Sequence, residues 1–173
     1  MKDIKVLGID LAKNIFQLHG TDEKGKCVLR RKLTRKKLID FMANLTPCLV
    51  GIEACGGAHH WARTFINMGH EVKIISPQFV KPYVKSNKND SNDAEAIAEA
   101  VTRPTMRFVP IKTTEQQGVL LLHRARELAV KQRTAQGNQI RGLLAEFGIV
   151  MAQGLSQLDK LPDILEAHEN QLG

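Results

Sequence analysis

Val6-Leu7-Gly8-Ile9-Asp10, a short apolar run that ends on a carboxylate, is echoed by Leu49-Val50-Gly51-Ile52-Glu53. Runs of this length and composition read as buried strands, the first extending from Ile4 to Asp10. An ionised group closing each of them costs several kcal/mol in a protein interior unless something positive compensates it. Outward from the first run, Ile15 to His19 reads as a second strand after the turn Leu11-Ala12-Lys13-Asn14, and Cys27 to Leu33 as a third after the turn residues Gly20 to Gly25. Three short strands in succession make an antiparallel meander. Thr34 is an expected N-cap for a helix running to Leu45, which Pro47 closes. The second run is then a fourth strand, followed by a helix from Ala58 to Met68 that stops at Gly69, and a fifth strand from Glu71 to Ile75. Strand-helix-strand calls for parallel pairing with right-handed crossovers. Asp10 and Glu53 are therefore expected side by side at one edge of the sheet.

A third segment, Asn89-Asp90-Ser91-Asn92-Asp93-Ala94-Glu95-Ala96-Ile97-Ala98, adds two more acids at the head of a helix. Ala94, Ile97, Ala98 and Val101 form an apolar stripe at i, i+3, i+4 and i+7, which must face the core. Asp90 and Asp93 each precede a stripe residue by four positions and so continue it, whereas Glu95 and Glu99 are expected to point away. Two like charges about 4 Å apart repel by roughly 4 kcal/mol at an effective dielectric of 20, which favours a bound divalent cation over an empty cage. Oxygen-only ligands suit Mg²⁺ or Mn²⁺ rather than zinc. Two such ions about 4 Å apart are the usual device for in-line attack on a phosphodiester.

With 173 residues and 43% hydrophobic content, the chain can bury one core, and the expected division is a compact domain over residues 1–110 and a helical arm over 111–173. From about Thr113 to Phe147 there is no proline, and Leu121, Leu122, Ala125, Leu128 and Ala129 line one side of a helix too long for the compact domain. Gly118, Gly137 and Gly142 weaken it locally and make a bend an expectation. Such an arm packs in a coiled coil or against a partner, so a homo-oligomer is expected. The net charge of +7 fits a polyanionic partner. Arg30, Arg31, Lys36 and Lys37 form the densest basic cluster, and Lys81, Lys85 and Lys88 lie just before the acidic helix, where they are placed to guide a phosphate backbone. Three unpaired-looking cysteines and the lack of a signal-peptide pattern point to a reducing cytoplasm, and no apolar run approaches a membrane span.

The set Gly8-Ile9-Asp10-Leu11-Ala12-Lys13, Gly51-Ile52-Glu53-Ala54-Cys55-Gly56-Gly57 and Lys88-Asn89-Asp90-Ser91-Asn92-Asp93-Ala94-Glu95-Ala96 resembles the amino-terminal domain of the DEDD transposases. These are the insertion-sequence family that includes the pilin-gene invertases and the bridge-RNA-guided recombinases. The resemblance spans nearly the whole chain, through Arg103 to Pro110 and the helical arm. It implies an α/β, ribonuclease H-like fold of the Holliday-junction-resolvase (RuvC-like) type, with a mixed five-stranded sheet flanked by helices and followed by the arm. It also implies that Asp10, Glu53, Asp90 and Asp93 are the catalytic, metal-binding tetrad of a DNA recombinase, nucleoid-associated in the cytoplasm, with a structured guide RNA as a further partner. Family members carry a second, carboxy-terminal domain with a nucleophilic serine. Nothing here corresponds to it, so the chain is expected to stop short of that domain and to be incomplete for recombination. Two other readings stand beside this one: a junction nuclease that uses metal-activated water alone, and an inactive nucleic-acid-binding and oligomerising fragment.

Overall fold

The computed structural model describes residues 3–85 and 90–169, the side chains of residues 90 and 91 excepted. The chain divides into two compact units, which part between Thr113 and Thr114.

The first unit is built on a mixed sheet in the order β3-β2-β1-β4-β5-β6. β1 (Val6–Asp10), β2 (Ile15–Thr21) and β3 (Cys27–Thr34) form the antiparallel meander. β4 (Leu49–Glu53) pairs parallel with β1, and β5 (Glu71–Ile75) parallel with β4. The mixed sheet flanked by helices is the expected architecture, but it has six strands rather than five. The sixth, β6 (Phe108–Val109), lies antiparallel to Ile74 and Ile75. Two residues are too few to show any alternation in the sequence, so this edge pairing follows from the chain's path and not from a local pattern.

Side-chain alternation gives each face of the sheet its role. On one face, Leu7, Ile9, Val50 and Ile52 are buried in a core completed by α1 (Arg35–Ala43) and α2 (Ala58–Asn67). Phe16, Trp61 and Phe65 are its aromatic centre: Phe16 meets Trp61 edge-on at 5.1 Å, and Trp61 stacks on Phe65 at 5.4 Å. α1 ends two residues before the expected Leu45. The chain is then turned by buried His70, whose Nδ1 accepts the Cys48 N–H at 3.3 Å while Nε2 lies 3.1 Å from the Met42 carbonyl.

On the opposite face lies α4 (Asp90–Ala100), which follows the short α3 (Pro77–Val80) and a 3₁₀ turn at Lys81–Tyr83. Gly8 and Gly51 are paired neighbours in β1 and β4. A Cβ on Gly8 would collide with the Ala94 carbonyl and come within 2.5 Å of the Ala98 nitrogen; on Gly51 it would come within 2.9 Å of Val101 Cβ. The missing side chains let α4 lie flush on the sheet. Ile75, Val80, Ile97 and Val101 close a second core around it.

The second unit is helical. α5 (Thr114–Glu146) is one continuous helix of 33 residues that runs through Gly118, Gly137 and Gly142 without a break. Gly137 serves packing instead: a Cβ there would sit 2.9 Å from Leu155 Cδ2 and 3.1 Å from Leu158 Cδ1. The chain folds back over that point through a 3₁₀ segment (Leu155–Lys160) and α6 (Leu161–Ala167), burying Leu144, Ile149 and Met151. No described helix is long and apolar enough to cross a membrane.

Candidate active site

Asp10 and Glu53 are the last residues of β1 and β4, one step beyond the paired Ile9 and Ile52. Alternation puts both carboxylates on the face of Gly8 and Gly51, the face that α4 covers. α4 meets Gly8 through Ala94 and Ala98, so its first turn lies toward the strand ends. Asp93 is in that turn, and its charge reaches Glu53. Burial first, then the charges of Asp10 and Asp93, hold the Glu53 carboxyl above the ordinary glutamate range. Three of the four expected acids therefore share one electrostatic neighbourhood. Asp90 opens α4, and its side chain lies outside the described residues. Among the described residues, no three His, Cys, Asp or Glu side chains are closed up as metal ligands. The donor chemistry nevertheless fits a hard divalent cation: oxygen ligands only, with the Glu53 carboxyl raised by burial first and then by the like charges of Asp10 and Asp93.

The basic residues divide differently from their order in the sequence. Arg30 and Arg31 are adjacent on β3 and so point to opposite faces. Arg31 lies over the Phe41 ring of α1 at 5.8 Å, on the side that carries exposed Lys36 and Lys37. Arg30 is on the α4 side, where its guanidinium donates to Glu95 Oε2 at 2.6 Å. Lys85 Nζ donates to Glu95 Oε1 at 2.5 Å. Lys81 is exposed in the 3₁₀ turn, and Lys88 falls outside the described residues.

Glu95 does not point away as expected. Its side chain is only 18% exposed, because α4 lies across β2 as well as β1 and its buried arc is wider than the apolar stripe. Lys85, through its hydrogen bond, holds the Glu95 carboxyl below the ordinary range. Buried His19 completes the cluster with Nδ1 3.9 Å from Glu95 Oε2 and no hydrogen-bond partner among the described residues. Burial lowers the His19 pKa, against the pull of Glu95. Glu99 pairs with Arg103, four residues on. None of the links from Glu95 to β2 and β3 has a local sequence signal, since the partners are separated by 65 and 76 positions.

A groove of about 460 Å³ opens beside the acids. Its walls are the loops that leave the two acid-bearing strands: Leu11, Ala12 and Lys13 after Asp10, and Cys55, Gly56 and Gly57 after Glu53. Arg35, His60 and Trp61 complete it. Burial, then Glu53 and Asp10, raise the Cys55 thiol pKa, so this wall lies within the field of the carboxylates. His59, next to His60, turns elsewhere and accepts the Lys112 N–H at 3.2 Å.

The transposase family DEDD_Tnp_IS110 matches residues 7–149, a span that contains all four acids. The chain belongs to the DEDD transposases. This transposase chain is 55% identical over 166 residues to the transposase for insertion sequence element IS1111A of Coxiella burnetii, covering 95% of the chain and 46% of that protein. It is also 55% identical over 144 residues to a probable family 20 transposase of Pseudomonas aeruginosa (83% of the chain, 43% of that protein), and 46% identical over 169 residues to the transposase for insertion sequence element IS1328 of Yersinia enterocolitica (98% and 51%). The chain thus spans about half the length of the curated relatives it matches. Among solved structures, T. thermophilus RuvC in complex with Holliday junction substrate is similar with a TM-score of 0.46 at 14% identity, covering 60% of this transposase chain and 98% of that one.

Proposed function

We propose that this chain is the part of a DEDD transposase that holds divalent metal for DNA strand cleavage and exchange, in transposition or site-specific inversion. The observation that carries the reading is the crowding of Glu53 by Asp10 and Asp93 at the ends of two adjacent strands and one helix, in a chain of this family. Asp10, Glu53 and Asp93, with Asp90, would hold Mg²⁺ or Mn²⁺, as one ion or a pair. Bound there, the metal supplies charge neutralisation and Lewis acidity at a phosphodiester. The chain's own contribution is to fix the acids on rigid elements, with α4 seated on Gly8 and Gly51. Strand exchange is proposed to need the carboxy-terminal serine domain that the resemblance implies. α5 is proposed to assemble a homo-oligomer, and a structured guide RNA is proposed on the resemblance alone.

Calorimetry tests the centre directly. Mn²⁺ titrated into the chain is expected to give saturable binding that Asp10→Asn and Asp93→Asn each weaken at least about tenfold, the loss of one charged ligand. The same two substitutions are expected to abolish Mn²⁺-dependent nicking of supercoiled plasmid. Equal metal binding by the wild type and both variants would overturn the reading.

A further inference from the structure

The cations of the first unit fall into two classes. Arg30 and Lys85 are held by Glu95, and Arg103 by Glu99. Arg35 and Lys13, by contrast, have no carboxylate partner among the described residues. They meet instead in the groove beside the acids, where the Arg35 guanidinium donates to the Lys13 carbonyl at 3.4 Å.

The Arg35 guanidinium is also held in place by aromatic rings. Its central carbon lies 4.9 Å from the centroid of Trp61 and 5.9 Å from that of Phe16. A guanidinium on a ring face leaves the edge N–H donors not given to the Lys13 carbonyl available to phosphate oxygens, in a planar fork. Gly56 faces it across the groove with open space where a Cβ would stand, and Gly57 takes a left-handed φ of 91° that favours glycine. A strand backbone can therefore approach this wall closely. Besides the Cys55 thiol, the groove is lined by the exposed side chains of Lys13 and His60.

We propose that this groove is a phosphate subsite, anchored by Arg35 and assisted by Lys13. It takes a phosphodiester of the nucleic-acid strand that flanks the phosphodiester presented to Asp10, Glu53 and Asp93. The inference rests on the nucleic-acid reading given above and deepens it. Its logic is that of alternating charge: acids at the strand ends receive the strand only with a cation, and two cations without carboxylate partners among the described residues, Lys13 in the loop after Asp10 and Arg35 at the start of α1, hold the adjoining phosphate without one.

Trp61 is the only tryptophan in the chain, which makes the groove observable by its own emission. The probes are a short fluorescein-labelled oligothymidylate, the same oligonucleotide unlabelled, and inorganic phosphate, each titrated into the chain in EDTA. The unlabelled oligonucleotide is expected to change Trp61 emission saturably, at lower concentration than inorganic phosphate does. By anisotropy of the labelled probe, Arg35→Ala is expected to weaken binding about tenfold, as for loss of a charge-assisted pair, and Arg35→Lys by less, since lysine keeps the charge but not the fork. Lys13→Ala, at an exposed loop position where folding is not at stake, is expected to weaken it about threefold.

Unchanged oligonucleotide affinity in both Arg35→Ala and Lys13→Ala would overturn the proposal. So would inorganic phosphate binding as tightly as the oligonucleotide, which would make the groove a site for free anions. Because EDTA removes metal from this test and the calorimetric test contains no nucleic acid, the subsite and the metal centre fail independently.

Discussion

Glu53 carries the clearest consequence at the scale of one residue. Its folded-state pKa is raised, so the stability it contributes is fully present below its unfolded pKa and is lost as pH rises through the folded value. In chelator near neutral pH, the crowded carboxylate therefore destabilises the fold. Glu53→Gln is expected to raise the melting temperature there, by the equivalent of less than about 1 kcal/mol because the group is largely screened by solvent. The gain should vanish below about pH 4, where the wild-type side chain is itself protonated. A melting series from acid to neutral pH checks this, and a gain that grows toward acid would contradict the assignment. The placement of Asp10 and Glu53 at adjacent strand ends was legible in the sequence because each closes an apolar run, a feature that local spacing exposes. Glu95, Arg35 and Trp61 were not legible as partners. Arg30 and Arg31 look like one cluster in the chain, but strand alternation sends them to opposite faces, where one meets Glu95 and the other Phe41. A sequence displays neighbours along the chain, and ion pairs across a sheet depend on which helix happens to cover which face.

Among the elements, α4 is the one on which the site depends, and two absent side chains decide where it lies. Gly8→Ala would drive a methyl group into the backbone at Ala94 and Ala98, and a helix backbone cannot yield as the tip of a flexible side chain can. The expected cost is about 1–3 kcal/mol from overpacking, and the lifted helix should also withdraw Asp93 from Asp10 and Glu53. Chemical denaturation gives the first quantity, and loss of Mn²⁺ affinity in the folded variant gives the second. A variant as stable as the wild type would show that α4 is not seated as described. Most elements were readable from periodicity, since β4 and β5 fall where the apolar runs predict them and α2 and the strands of the meander differ at their ends by one or two residues. The exceptions have physical causes. α1 is shorter because the chain after Ala43 turns toward His70, and β6 is only an edge contact of two residues.

At the scale of the whole molecule, the second unit leaves more apolar surface uncovered than its own fold can use. Leu121 is 67% exposed and Leu128 56%, on a helix whose residues from Gly118 to Gln136 are all exposed. Surface of this kind drives association. Leu121→Glu combined with Leu128→Glu removes nothing buried, and by light scattering it is expected to convert an oligomer into a monomer. A wild-type monomer would refute the proposed assembly. The fold-back over Gly137 gives α5 a further property. Around Gly137 the helix has a built-in nucleus of tertiary contacts, whereas its exposed stretch from Gly118 to Gln136 depends on intrinsic propensity weakened by Gly118, and uncovered helix is marginal in water. Melting is therefore expected to begin in that stretch and not at the anchor. If association covers it, the helical content of the chain becomes a function of its concentration: dilution loosens the middle of α5, and assembly winds it up again.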